Sequence, residues 1–131
     1  MLKRIDHIGV VVDDLQAGRR FLETLGLRHD RDIEVPDRGL KASFYRCGDV
    51  SVEIIQLDDR AANRERMKGE SMARIEHIAI EVDDIDKTVD DLSERGVEVT
   101  AAPTRVGPSI SVWTKPETSD GYQFQFLQKG S

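Results

Sequence analysis

Two histidines, a glutamate and a glutamine occupy paired places in this chain. His7 lies in I-D-H-I-G-V-V-V-D-D-L (Ile5 to Leu15), and His77 lies in I-E-H-I-A-I-E-V-D-D-I (Ile75 to Ile85), the same phrase 70 positions later. Near the end of each copy, V-S-V-E-I-I-Q-L (Val50 to Leu57) sets against Y-Q-F-Q-F-L-Q-K (Tyr122 to Lys129), which puts Glu53 opposite Gln125. Two neutral imidazoles, one carboxylate oxygen and one amide oxygen make a mixed N/O donor set that suits a divalent first-row ion such as Zn, Co, Ni, Mn or Fe. Coordination positions left open would take water or a substrate oxygen, and that is Lewis-acid chemistry.

The alternation of side chains along a strand supports this grouping. Positions 5, 7, 9 and 11 share one strand face, as do 51, 53, 55 and 57, and both faces are otherwise largely apolar. An imidazole or carboxylate there has to be bonded, paired or coordinated, because burying it alone costs several kcal/mol. A lone histidine on such a face is more often a hydrogen-bonded core residue than a ligand. Equivalent histidines in two copies, joined by a second equivalent pair, shift the reading towards a metal site. His29 has no counterpart in the repeat and reads as a surface residue. Asp13-Asp14 and Asp83-Asp84 stand at strand-to-helix junctions and read as helix caps.

The elements that must position these groups follow from the same repeat. Strand 5–12 leads into a helix capped by Asp13 or Asp14, with Leu15, Phe21, Leu22 and Leu25 on one face and Gly26 as its stop. Ile33 and Val35 alternate as in a strand, Pro36 and Gly39 mark a turn, and 41–46 and 50–57 are two further strands. Residues 58–69 are charged and helix-compatible without an apolar stripe, and are expected to form a solvated linker helix. The pattern then restarts with strand 74–82, helix 85–95, strand 97–101, a loop over 103–108, strand 109–114, a loop over 115–120 and strand 122–128. The fold class is α+β: two tandem βαβββ modules, at about 1–57 and 71–131, forming curled mixed sheets around a central metal cleft. A chain of 131 residues holds one such domain, with a linker at about 58–70.

Composition excludes several classes of function. A net charge of −6 without a basic run argues against nucleic acid, and no apolar run is long enough to span a bilayer. Met1 leads directly into a strand with no signal-peptide pattern, so a cytoplasmic protein is expected. The single Cys47 excludes an intrachain disulfide and a cysteine-based zinc site, and it reads as a small buried hydrophobe.

At these residues the chain resembles the vicinal oxygen chelate superfamily, which includes glyoxalase I, methylmalonyl-CoA epimerase, extradiol dioxygenases and bleomycin-resistance proteins. The similarity is strongest to the epimerases, through E-H-I-A-I-E-V-D-D-I, V-P-D-R-G-L-K-A-S-F-Y-R-C-G-D (Val35 to Asp49) and K-P-E-T-S-D-G (Lys115 to Gly121). The resemblance implies metal ligands at His7, Glu53, His77 and Gln125, and a metal-dependent isomerase or lyase that forms a stabilised enolate of a small-molecule substrate. Epimerases usually carry glutamine at the Glu53 place and glutamate at the Gln125 place, so the two ligand types look exchanged. Asp37 stands where the epimerase segment usually carries a glutamate base, which makes Glu53 and Asp37 the candidate proton-transfer pair. Arg38, Lys41, Arg46 and Arg105 are candidates to hold a substrate anion, and Phe44, Tyr45, Trp113, Phe124 and Phe126 to line a pocket. A homodimer is expected, because open curved sheets leave edges to cover. Two other functions remain open: a non-haem iron dioxygenase using His7, His77 and Glu53, and a protein that sequesters a small molecule without turnover.

Overall fold

The computed structural model describes residues 2–130, and these form eight strands and three α-helices. Strands β1 (Leu2–Val12), β2 (Arg28–Val35), β3 (Leu40–Cys47) and β4 (Val50–Leu57) accompany helices α1 (Leu15–Leu25) and α2 (Arg60–Met67). After them come β5 (Ala73–Val82), α3 (Ile85–Glu94), β6 (Thr104–Val106), β7 (Ser109–Trp113) and β8 (Phe124–Lys129). Two compact units divide the chain, one of residues 7–76 and the other of residues 2–6 with 77–130.

In the first unit the strand order is β2-β3-β4-β1. The hairpin partners are antiparallel, while β1 runs parallel to β4 with His7 beside Ser51 and Gly9 beside Glu53. Helix α1 covers one sheet face, where Val12, Leu15, Tyr45 and Ile54 form the core with Val10, Leu22, Leu27 and Val52. In the second unit the order is β5-β8-β7-β6, with β5 parallel to β8 and Ala79 beside Gln125. Helix α3 packs there against Val82, Val112 and Phe126. The α+β class and the βαβ start of each module are as the sequence predicts. In each unit the face opposite the helix holds the candidate ligands.

Both sheet-packed helices begin in the same way. Asp14 accepts from the Gln16 and Ala17 N–H groups and Asp84 from that of Lys87, as expected of caps. A second device, absent from the sequence reading, is a glutamine on the last strand of each module. Gln56 Oε1 accepts from Leu15 N–H and Gln128 Oε1 from Ile85 N–H, each at 2.8 Å. These side chains tie the strand that carries Glu53 or Gln125 to the helix that covers it.

Three elements differ from expectation. Helix α2 is anchored rather than solvated: Asn63 is fully buried, its Oδ1 accepting from Leu57 N–H and its Nδ2 donating to Val12 O, each at 2.9 Å. Residues 97–101 make only an isolated bridge, Val99 to Thr114, and the strand forms at Thr104–Val106 instead. Pro103 explains the shift, since it has no N–H to offer a ladder and restricts the residue before it. Cys47 ends β3 exposed rather than buried.

Strand β2 carries a bulge between His29 and Arg31. The extra residue brings His29 and Asp32 to one side, where Asp32 Oδ1 accepts from His29 Nε2 at 2.8 Å, Ser43 Oγ at 2.7 Å and Arg19 Nη2 at 2.7 Å. Those bonds, that of His29 foremost, hold the Asp32 carboxyl far below the usual carboxylate range. They tie α1, β2 and β3 together. Asp32→Asn is expected to lower stability by about 1 kcal/mol near neutral pH, a modest value because the carboxylate is half exposed. A depressed folded pKa gives stability that is complete above the unfolded carboxylate value of about 4 and is lost as pH falls below it. Urea unfolding of both proteins should therefore show a gap at pH 7 that narrows at pH 3, and an unchanged gap would contradict this role.

Candidate metal centre

On β1 and β4 of the first unit, the parallel register sets His7 and Glu53 diagonally on one face. His7 Nε2 lies 3.3 Å from Glu53 Oε1, with 6% of the imidazole and 14% of the carboxylate side chain exposed. A ring nitrogen and a carboxylate oxygen so placed can share a proton, or can both direct lone pairs at one cation. Gly9, beside Glu53 on β1, adds no side chain over the pair. Phe44 stands opposite Glu53 on β3, its ring edge-on to His7 at 5.4 Å between centroids.

The second unit repeats the arrangement with altered residues. His77 is buried on β5, Gln125 lies on β8 beside Ala79, and Trp113 stands opposite Gln125 on β7. The Trp113 ring meets His77 edge-on at 4.7 Å. Gln125 Nε2 donates to Ser111 Oγ at 3.0 Å, which leaves the amide oxygen as the atom able to face a cation. Phe44 and Trp113 are thus equivalent aromatic walls. Their equivalence is hidden in the sequence because they are 69 positions apart, while the ligand pairs are 70 and 72 apart.

Other candidates fall in different places. Tyr45 and Phe126 are buried core residues under the helices, and Phe124 packs beside Phe126, so none of the three shares the ligand face. Asp37 and Arg38 are exposed in the turn Pro36–Arg38. Strand β3 begins just after that turn with Leu40 paired to Leu57, four ladder steps from the Phe44–Glu53 pair, roughly 13 Å by straight strand rise. Lys41 lies 3.7 Å from Asp58, and Arg46 donates to Gly48 O at 3.2 Å. Arg105 lines an open cavity of about 430 Å³ in the second unit with Lys3, Lys129, Glu81 and Asp83, where the charges largely offset. No helix among the described residues is long and apolar enough to cross a membrane.

A sequence profile of the Glyoxalase/Bleomycin resistance protein/Dioxygenase superfamily matches residues 6–113. The mitochondrial methylmalonyl-CoA epimerase of Bos taurus is 27% identical over 108 residues, covering 81% of this chain and 62% of that protein. A probable chloroplastic lactoylglutathione lyase of Arabidopsis thaliana is 29% identical over 130 residues, covering 98% of this chain and 36% of that protein. The chain therefore spans less than two thirds of either relative. The crystal structure of methylmalonyl-CoA epimerase from Mycobacterium tuberculosis superposes with a TM-score of 0.87 over 99% of this chain and 90% of that one, at 17% identity. The two share a fold.

Helix α2 brings one further charge towards Glu53. Arg66 grips Glu76 with both arms, Nε to Oε2 at 2.6 Å and Nη2 to Oε1 at 2.8 Å. The Glu76 side chain is 3% exposed, and Arg74 approaches the same carboxylate at 3.6 Å. The bonds to Glu76 raise the Arg66 pKa above its ordinary value against the opposing effect of burial, and the charge of Glu53 adds to the rise. The guanidinium is therefore fixed within the field of Glu53. Removing it leaves a buried carboxylate short of its main partner, so Arg66→Met should destabilise by about 2–3 kcal/mol in chemical denaturation. The double variant Arg66→Met/Glu76→Gln should recover part of that loss, and full additivity of the two changes would contradict the pairing.

Proposed function

The chain belongs to the Glyoxalase/Bleomycin resistance protein/Dioxygenase superfamily, and we propose that it is a divalent-metal-dependent isomerase or lyase acting beside a carbonyl. Its relatives by name are epimerases of a CoA thioester and lactoylglutathione lyases. In this reading His7, Glu53 and His77 hold the ion, with Gln125 Oε1 as fourth donor. Support comes from the chemistry of the donors. His7 Nε2 and Glu53 Oε1 already face one another at 3.3 Å, and Ser111 engages the nitrogen of Gln125 rather than its oxygen. The His7–Glu53 contact is the observation that carries the reading.

The ion would supply Lewis-acid stabilisation of negative charge on the substrate carbonyl oxygen. The chain supplies the proton transfers. Glu53 is the acceptor nearest the site, and in this reading it takes the proton from the carbon next to the carbonyl. Asp37 is the proposed second base, and to return or remove a proton on the other face of the planar intermediate its turn would have to close the roughly 13 Å that separates it along the strand from Glu53. Gln125 has no proton-accepting role at neutral pH. Phe44 and Trp113 limit water around the two imidazoles.

The test is metal content by elemental analysis, followed by exchange of the substrate α-proton in D2O. Methylmalonyl-CoA and the hemithioacetal of methylglyoxal with glutathione are the substrates to use. About one divalent ion per chain should be found, and His7→Ala should lose it. Glu53→Gln should lower exchange by at least about 10²-fold and Asp37→Asn by a similar factor. Full exchange in Glu53→Gln sinks the mechanism, while full exchange in Asp37→Asn removes only the second base. A second reading is favoured by the two-histidine, one-carboxylate set itself, which suits Fe(II) with open positions. Bound iron, with oxygen uptake on a catechol, would shift the assignment to a dioxygenase. The protein is also taken to be a homodimer, and a monomer mass by light scattering at micromolar concentration would refute that.

A further inference from the structure

The bulge in β2 changes which side chain reaches the ligand face of the first unit. His29 pairs with Tyr45, and in a regular ladder Asp30 would then stand opposite Phe44, two strands from Glu53. The register shift places Arg31 there instead. The row across the sheet becomes Arg31–Phe44–Glu53, all on one face, because Phe44 pairs in turn with Glu53. A cation has replaced a carboxylate beside the site. Bulges commonly re-aim a side chain in this way. The Asp32 hub on the opposite face, with bonds from His29, Ser43 and Arg19, holds the bulge in place.

Arg31 is also positioned along the row. Its guanidinium carbon lies 4.1 Å from the centre of the Phe44 ring, the same ring that meets His7 edge-on. A cation over an aromatic face loses some of its freedom before any ligand arrives. The side chain is 55% exposed, and its Nη1 donates to Asp30 Oδ2 at 3.0 Å. A planar guanidinium so placed suits two-pronged recognition of a carboxylate.

We propose that Arg31 docks a carboxylate of the substrate on the His7–Glu53 face, within roughly 10 Å of Glu53 by two strand spacings. The site then takes a substrate whose chelating oxygens and distal carboxylate are joined by a short flexible chain. This rests on the metal-dependent reading of the same face. Asp30 competes with the ligand for the guanidinium, so its removal and the removal of Arg31 act in opposite directions.

The experiment is calorimetric titration of the protein, with and without zinc, using 2-oxo acids of increasing methylene count. Each terminally carboxylated acid is compared with the methyl-terminated acid of equal length. One diacid length should bind about tenfold more tightly than its monoacid, the scale of one charge-assisted contact at a wet surface. Arg31→Met should abolish that advantage, and Asp30→Ala should increase it severalfold. Equal binding of diacids and monoacids to the unaltered protein overturns the proposal, as does a diacid preference that survives in Arg31→Met. A zinc-dependent series with no Arg31 effect overturns docking and leaves the metal reading intact. Affinities of both series that do not change with zinc count against the metal reading, whatever Arg31 does, whereas zinc-strengthened binding of both series with a diacid advantage lost in Arg31→Met supports both.

Discussion

An imidazole and a carboxylate on an otherwise apolar sheet face have to meet each other or something that satisfies both. The His7–Glu53 contact answers that requirement in the first unit. Much of that unit serves to maintain it. The parallel register of β1 and β4 sets the diagonal, Gln56 ties the end of β4 to the start of α1, and Asn63 ties both strands to α2. Slipping β4 by one residue would turn Glu53 towards α1 and bring Val52 or Ile54 to the ligand face. The contact and the hydrophobic core of the unit therefore specify the same register.

Much of this was legible from the chain. The repeated phrase located both histidines, and the period of two put His7 and Glu53 each on a largely apolar strand face. The aspartates before α1 and α3 read correctly as caps because capping is local: a side-chain oxygen two or three residues from the N–H it accepts. The order of elements in the two modules pointed to the α+β class, and the resemblance to the superfamily.

What was not legible depends on partners distant in sequence. Gln56 and Gln128 meet helix starts 41 and 43 residues away, and nothing in their neighbourhood distinguishes them from surface glutamines. Asn63 sits in a charged helix, and its burial follows from the strand ends it joins. The β2 bulge is set by Asp32 bonding to α1 and β3, so alternation alone assigns Asp30 and Arg31 to the wrong faces. The strand at Thr104–Val106 was misplaced for a different reason. Val97 to Ala101 has strand-like content, but Ala101-Ala102-Pro103 interrupts pairing before a ladder can extend.

The two units differ most where they are equivalent. With a divalent ion, two neutral imidazoles, one carboxylate and one amide give the proposed centre a net charge of about +1, whichever strand carries the glutamate. Exchanging glutamate and glutamine between β4 and β8 therefore preserves the electrostatic pull on a developing oxyanion. It does move the proton acceptor. Here the proposed acceptor, Glu53, lies on β4 beside Phe44, on the row that ends at Arg31, while the β8 position holds an amide whose nitrogen is bonded to Ser111. Ligand charge and base position are separable, and an internal duplication is a means of separating them. In the proposed centre each half would supply one imidazole and one oxygen donor, so the residue that moves the proton can change sides without a change in the fold.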